Sequence, residues 1–336
     1  MDLSIIIVSF NSIDLINNCI RSIYRYLGDP AGCSDINKYP ESEGKRGLSW
    51  EIIIADNCSR DGSVEFIRGK ISEMKDNAIS LIELDKNYGF AGAANCASEN
   101  AKGKYLLFMN PDCELIERGF KNVIDFLEKK GKGQKAGAVG TKILNTDGSV
   151  QYSCRVFPRL EFQLYDAFFL PKLCKNSKNY GKYFMTWWDH SFTMQVDWVS
   201  GAFLLIKSAV FKKAGRFNEA YFMYSEDAEL CLSLVKKGYA NYYYADYKVK
   251  HSDGAVALRN MALREAQVWK SRKIYFSRNH GWLRGQVLSI LYFKYTMNRL
   301  IAYYLLFILN FRGQKRFYKN QAAICSEAIK LYFKGI

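Results

Sequence analysis

No Cys-X-X-Cys pair occurs among the nine cysteines, which are scattered and odd in number. That absence gives little support to zinc or dithiol redox chemistry and suits free thiols in a reducing compartment. No Gly-X-Gly-X-X-Gly follows the first apolar run and no Gly-X4-Gly-Lys occurs at all, so the dinucleotide fingerprint and the P-loop are missing, which argues against dehydrogenases and NTPases. The N-terminus lacks a positive leader, and its apolar run from Ile5 to Val8 is too short for a secretory signal. It reads as a first strand, with the chain on the cytoplasmic side. No clean apolar stretch approaches the roughly 20 residues that span a bilayer. The tail from Trp282 to Phe311 is apolar and aromatic but is interrupted by Arg284, Lys294 and Arg299. No internal repeat is visible.

What is present is a chain of 336 residues with 49% apolar content, enough for one large α/β core and a smaller appended region. The formal net charge of +15 favours contact with phosphate, on nucleic acid, on nucleotides or on anionic lipid. Much of that charge follows residue 258 and is interleaved with aromatics, as at Arg272, Lys294, Arg312, Lys315 and Arg316. No nucleic-acid-binding motif accompanies it, so nucleic acid is not an expected partner.

The first half alternates short apolar runs with amphipathic segments, the pattern of βαβ units around a largely parallel sheet. Strands are expected at Leu3–Phe10, Glu51–Ala55, Ile79–Leu84, Tyr105–Met109 and, later, from Ala240 to Val249. Helices are expected after the first strand, with Ile16, Cys19, Ile20, Ile23 and Leu27 on one face, and at Ser63–Ile71, Ala93–Ala101 and Ile116–Lys130. A segment rich in Gly, Pro, Ser and charge from Gly28 to Ser49 reads as a surface loop. Ligands of open α/β sheets bind at the carboxyl edge of the strands. Four successive strand ends carry polar groups to that edge: Ser9-Phe10-Asn11, Asp56 to Gly62, Lys86 to Phe90, and Asn110-Pro111-Asp112. Any one of these is a plain turn-former sequence; four together point to a site.

Taken in order, Val8-Ser9-Phe10-Asn11, Asp56-Asn57-Cys58-Ser59-Arg60-Asp61-Gly62-Ser63, Asn87 through Asn95 and Asn110-Pro111-Asp112 resemble glycosyltransferase family 2, in its rhamnosyltransferase-like branch. A second block is more specific still. It runs from Val196-Asp197-Trp198-Val199-Ser200-Gly201-Ala202 through Gly215-Arg216-Phe217-Asn218-Glu219 to Phe222-Met223-Tyr224-Ser225-Glu226-Asp227. The resemblance covers roughly residues 3 to 255. It implies a GT-A type fold of the α/β class: a Rossmann-like, largely parallel mixed sheet flanked by helices. The implied division is a catalytic domain over 1–255, with a nucleotide-binding half at 1–115 and an acceptor half at 116–255, and a basic amphipathic helical extension over 256–336.

The implied chemistry is transfer of a sugar from a nucleotide diphosphate, dTDP-rhamnose or a UDP-sugar, to a hydroxyl of a glycan or lipid-linked glycan. Ser9, Asn11, Asp56 and Asn57 resemble the floor of the nucleoside pocket. Asp61, Asn87 and Asn95 line the same cleft, with Gly89 and Gly92 admitting close backbone approach. Asn110-Pro111-Asp112 stands at the family's DxD place with an amide for the first carboxylate, which leaves Asp112 as the principal ligand for Mg2+ or Mn2+. His251, in His251-Ser252-Asp253-Gly254, resembles the downstream histidine that completes the metal or diphosphate site. Asp227 is the favoured base for the acceptor proton and Glu226 its alternative or partner. At an ordinary carboxylate pKa near 4, either would be ionised but weak. Read without the resemblance, Ser225-Glu226-Asp227 is helix punctuation, with Ser225 as N-cap, Ala228, Cys231, Leu232 and Val235 on the packed face, and Gly238 as the stop. Trp198, Ser200, Gly201 and Arg155 are expected around the sugar and acceptor. One base without a second carboxylate nucleophile implies inversion. The basic, aromatic tail suits either an interfacial helix on anionic headgroups or helix packing and a homodimer. The altered Asn110 leaves a non-catalytic nucleotide-sugar-binding protein as the rival.

Overall fold

The computed structural model describes residues 1–28, 30, 47–74, 77–130, 135–167, 170, 174, 177–252 and 260–334. The loop expected over 28–49 lies largely outside them, as do Asp253 and Gly254 of the histidine motif.

The chain divides into two compact units, 1–157 with 188–219 and 226–255, and 158–187 with 220–225 and 256–336. The division is thus more interleaved than a single cut at residue 255.

The first unit is built on a sheet of ten strands. The strands β1 (Leu3–Ser9), β2 (Trp50–Asp56), β3 (Ile79–Glu83) and β4 (Tyr105–Met109) pair in parallel in the order β3-β2-β1-β4. Three of them carry near-continuous runs of Ile or Leu, as a sheet covered on both faces requires, and Ile5, Ile7, Ile52, Ile54 and Leu107 are fully buried. The helices α1 (Ile13–Leu27), α2 (Ser63–Met74) and α3 (Gly89–Glu99) follow the first three strands. Ile16, Cys19, Ile20 and Ile23 of α1 are buried as their spacing requires.

Two expected boundaries move. The α3 helix starts at Gly89, not Ala93, because the Gly89 N–H is already donated to Asn87 Oδ1 at 2.9 Å. The helix expected from Ile116 begins at Phe120 (α4, Phe120–Lys130), after a short strand β5 (Cys113–Leu115). Gly119 at φ 91° breaks the run, a conformation open to glycine at little cost.

The sheet continues through β6 (Ala136–Leu144), with β7 (Val150–Gln151) folding back on it. A separate two-stranded ribbon joins β8 (Cys154–Arg155) to β10 (Trp198–Val199). Then come β9 (Met194–Val196), β11 (Phe203–Lys207) and β12 (Ala240–His251). Strand β11 is antiparallel between β4 and β6, while β12 is parallel to β6. Because β11 runs backwards, the residues that enter it lie beside those that leave β4. Phe203 pairs with Met109, and the Asn110 N–H donates to the Ala202 carbonyl at 3.1 Å.

The second unit is helical: α5 (Leu160–Ala167) and, after the short α6 (Ser208–Ala214) and α7 (Glu226–Lys236) of the first unit, α8 (Met261–His280), α9 (Trp282–Ile308) and α10 (Lys315–Lys334). Gly281, φ 97°, turns the chain between α8 and α9. A Cβ at Gly285 would sit 1.9 Å from Ser277 Oγ, so the two helices cross too closely there for any side chain. Arg299, on sequence a mere interruption of the apolar tail, is paired with Glu265 at 2.7 Å with only 17% of either side chain exposed. Among the described residues no helix is long and apolar enough to cross a membrane.

Candidate active site

The parallel strands β1 to β3 deliver the expected polar residues to one edge, where most of them are held by one another. Ser9 Oγ meets Ser12 Oγ at 2.9 Å. Asn11, at φ 49°, accepts the Arg60 N–H with its side chain (2.9 Å) and donates its own N–H to Ser59 Oγ. Asp56 is buried, and its two oxygens accept from the Ser59 N–H (2.8 Å) and the Ser59 hydroxyl (2.6 Å). Asn57 donates to the Gly89 carbonyl (3.0 Å) and accepts the Tyr88 N–H (2.8 Å), which pins β2 to the start of α3. Asp61 accepts from Ile13 N–H and from both the N–H and hydroxyl of Ser63, so one carboxylate serves the first turns of α1 and α2. Burial works to raise its pKa, and the bonds from Ser63 and Ile13 outweigh it and hold the group below the usual carboxylate range. Gly89 has φ 72°, a conformation that suits the tight entry into α3. Asn95 stands apart from this edge cluster: its amide exchanges bonds with the Phe217 backbone and donates to Glu219 at 2.8 Å.

The end of β4 meets the end of β12. His251 Nε2 lies 3.0 Å from Asp112 Oδ1 and 3.3 Å from Asn110 Nδ2, and both side chains of the Asp–His pair are nearly buried. The Ser252 N–H donates to the Asp112 carbonyl, which ties the two strand ends together. The other ring nitrogen, Nδ1, is 2.8 Å from Gln151 Oε1 on β7.

The acids at the start of α7 follow two consecutive left-handed residues, Tyr224 (φ 70°) and Ser225 (φ 69°). Ser225 therefore does not hold the extended backbone of an N-cap, a correction to its expected role. Asp227 accepts the Gly201 N–H at 3.0 Å and the Ala228 N–H at 2.8 Å and keeps partial exposure. Glu226 is buried, and among the described residues its Oε2 has no hydrogen-bond partner. Burial, and then the neighbouring Asp227 charge, drive Glu226 well above the ordinary carboxylate range; burial also raises Asp227 despite its two backbone donors. The ordinary pKa expected for this pair is thus corrected upward, which makes Asp227 a stronger base once ionised. The packed face of α7 is also rotated from expectation. Ala228, Leu230, Cys231 and Leu234 are buried, whereas Val235 is 40% exposed beside the left-handed stop at Gly238.

Around Asp227, Arg155 stacks its guanidinium 4.9 Å above the Trp198 ring, and its charge is felt by the Asp227 carboxylate. Trp198 itself is buried, with its indole N–H given to the Val156 carbonyl, so it serves packing. Ser200 turns the chain into β11, its hydroxyl accepting the Ala202 N–H. The two clusters are joined directly. Asp227 holds Gly201, and the adjoining Ala202 holds Asn110, two residues before Asp112. Acids separated by more than a hundred positions in sequence are therefore linked through one strand entry.

Residues 4–192 match the model of glycosyl transferase family 2. The chain belongs to that family. It is 27% identical over 254 residues to the N-acetylglucosaminyl-diphospho-decaprenol L-rhamnosyltransferase of Mycobacterium tuberculosis, across 70% of this chain and 77% of that one. It is 30% identical over 239 residues to the rhamnosyltransferase WbbL of Escherichia coli, across 64% and 78% respectively. The mannosyltransferase PcManGT from Pyrobaculum calidifontis, solved with GDP-Man and Mn2+, aligns at a TM-score of 0.53 and 15% identity over 99% of this chain and 87% of that one. This last likeness concerns the fold, and it bears out the GT-A type sheet with its C-terminal helices.

For a glycosyltransferase of this family, the residues given no role in the motifs are those that hold the ones given a role. Ser59 grips both Asp56 and Asn11, and Ser63 grips Asp61. Both lie inside the quoted motif and were legible as partners. Gln151 and Glu219 contact residues 100 and 124 positions away, and no local pattern signals such contacts.

Proposed function

We propose that this glycosyltransferase moves a sugar from a nucleoside diphosphate, dTDP-rhamnose in the first instance and a UDP-sugar in the second, to a hydroxyl of a lipid-linked or other glycan in cell-surface polysaccharide synthesis. The observation that carries the reading is the joining of Asp112 and Asp227 through Asn110, Ala202 and Gly201. The named activities of the mycobacterial and E. coli relatives favour rhamnose.

A hard divalent ion fits the Asp112–His251 pair. The carboxylate oxygen and ring nitrogen are 3.0 Å apart, one hard donor and one commonly used by Mn2+. Among the described residues no group of three or more His, Cys, Asp or Glu stands ready to enclose a metal, so an ion held here would draw its remaining ligands from phosphate and water. The Mn2+ in the PcManGT complex supports the same choice. When bound, the ion supplies charge to neutralise the departing diphosphate. The chain supplies the rest. Asp227, fixed by the Gly201 and Ala228 N–H groups, takes the acceptor proton as the acceptor oxygen bonds to the anomeric carbon and the bond to diphosphate breaks. Attack from the face opposite the leaving group inverts that carbon. Glu226, buried beside Asp227, holds its proton to higher pH than an ordinary carboxylate does.

Peripheral contact with the inner face of the cell membrane belongs to the same proposal. Along one side of α9, Leu283, Ile290, Ile301, Leu305 and Ile308 are each more than half exposed. At its far end, Arg312, Lys315 and Arg316 are exposed as well. An apolar stripe edged with cations suits an anionic lipid surface, and the scattered, odd-numbered cysteines suit a reducing compartment.

The first test is a panel of dTDP-, UDP- and GDP-sugars with Mn2+, read by thermal stabilisation and then by release of nucleoside diphosphate. Stabilisation by one donor, with release abolished in Asp227→Asn, is the expected outcome. Release unchanged by that substitution favours the rival reading of a binder without catalysis, which the amide at Asn110 supports. Sedimentation with phosphatidylglycerol vesicles, but not with phosphatidylcholine vesicles, tests the membrane contact. A dimer that buries the α9 stripe and ignores vesicles overturns it.

A further inference from the structure

The hairpin that ends in Gln151 contains a directed chain of hydrogen bonds. It begins at the Asp147 carboxylate, which can only accept when ionised. The Ser149 hydroxyl donates to Asp147 Oδ1 at 2.6 Å. That commits the hydroxyl proton, so Ser149 Oγ is the acceptor for Asn145 Nδ2 at 2.9 Å. With its amide nitrogen so placed, Asn145 presents Oδ1, which accepts from Gln151 Nε2 at 3.0 Å. Gln151 in turn presents Oε1 to His251 Nδ1 at 2.8 Å. Each bond fixes the polarity of the next, which resolves the amide and tautomer choices that side-chain shape alone leaves open.

We propose that Gln151, oriented by Asn145, is a positioning residue that holds the His251 proton on Nδ1 and keeps Nε2 bare and aimed at Asp112. The proposal rests on the reading of Asp112 and His251 as the metal pair and adds the device that prepares them. With the proton on Nδ1, the Nε2 lone pair faces Asp112 Oδ1 at 3.0 Å. Two lone pairs at that separation repel unless a cation lies against both. Asn110 Nδ2, a donor 3.3 Å from the same nitrogen, also matches a bare Nε2. Histidines that ligate metals commonly donate their other N–H to an oxygen acceptor, and loss of that partner typically weakens metal binding about 10–100-fold. Here the acceptor is a side-chain amide on a hairpin formed locally by residues 145–151. Its register on β6, Ile143 with Gln151 and Leu144 with Val150, brings that amide to the ring.

The test is a titration of the full-length protein with Mn2+ alone, free ion being counted by electron paramagnetic resonance, with thermal melts to verify folding. Gln151→Met, close in size but without the oxygen, should weaken Mn2+ binding about 10–100-fold. Gln151→Glu, which keeps an acceptor, should bind at least as well as wild type. Asn145→Leu should weaken binding less than Gln151→Met, and Asn145→Asp should not weaken it. A second readout is ring-nitrogen NMR with saturating Mg2+. The chain has three histidines, so the His251→Ala spectrum assigns the signal, which should show Nδ1 protonated in wild type. If Gln151→Met binds as wild type does while His251→Ala and Asp112→Asn lose the ion, the positioning role is wrong and the metal pair stands. If none of the three changes affinity, the metal pair itself is wrong. A wild-type signal with the proton on Nε2 under Mg2+ overturns the relay.

Discussion

The two ends of the site differ in how they use their polar groups. At the ends of β1 to β3, Asn11, Asp56, Asn57, Asp61 and Asn87 all hold named internal partners. At the ends of β4 and β12 and the start of α7, ionisable groups are instead buried against one another. Among the described residues Glu226 Oε2 is buried without a hydrogen-bond partner, and the Asp112–His251 contact needs a cation or a proton to be favourable. Buried polar groups in folded proteins are nearly always satisfied, so an unsatisfied one calls for a reason. The contrast separates residues whose bonds shape the edge from ionisable residues that press on one another, though in a motif both read as plain polar positions.

Substitutions sharpen or break that contrast. The largest effect is expected for Asp227→Asn, which keeps size and an acceptor for the Gly201 N–H but cannot take a proton. Transfer should fall about 10²–10⁴-fold with little change in melting temperature, as measured by nucleoside diphosphate release in the presence of acceptor. Next comes Asp112→Asn, where loss of the charged ligand should lower Mn2+-dependent release by roughly 100-fold, the equivalent of a few kcal/mol in the barrier. On the satisfied side, Asn57→Ala leaves the Tyr88 N–H and the Gly89 carbonyl unpaired and should cost about 1–3 kcal/mol of stability in urea unfolding. Asp61→Ala removes a capping carboxylate and should cost about 1 kcal/mol. If either alanine variant unfolds at the wild-type midpoint, the edge is not the scaffold that its hydrogen bonds suggest.

The smallest effect concerns pH. Because burial raises Glu226 above its unfolded value, the native state holds that proton over the interval between the two values, and stability falls as pH rises through it. Glu226→Gln carries no such proton. Its melting temperature should therefore gain on wild type from acid to neutral pH, and a constant difference would argue that Glu226 is not buried as a neutral acid. The same direction for Asp227 moves the acidic limb of the transfer rate above the ordinary carboxylate range, since the base must be ionised to act.

Much of this is legible in the sequence. The parallel strands announced themselves as runs such as Ile5-Ile6-Ile7 and Ile52-Ile53-Ile54, and the polar residues at their ends could only gather on one edge once the strands were parallel. Asp112 and His251 were paired by resemblance, and the structure brings them within 3.0 Å. What the sequence hid depends on long-range geometry. The burial that lifts Glu226, the partner of Arg299 in Glu265, and the contact of Gln151 with His251 arise from segments whose approach no local periodicity encodes. Asn95 shows the opposite difficulty. It sits inside the quoted motif, yet its amide is committed to the Phe217 backbone.

The reversed direction of β11 has a consequence for how such an enzyme can vary. Its pairing with β4, Phe203 on Met109 and Leu204 on Phe108, works as a ruler between Asn110 and Gly201. The gap between the acid proposed to hold the ion and the acid proposed to receive the proton is therefore graduated in rungs of a ladder. A one-rung slip of β11 would change that spacing and turn every side chain of the strand to the opposite face. A ladder of backbone bonds, not a flexible loop, thus sets how far apart the two acids can stand.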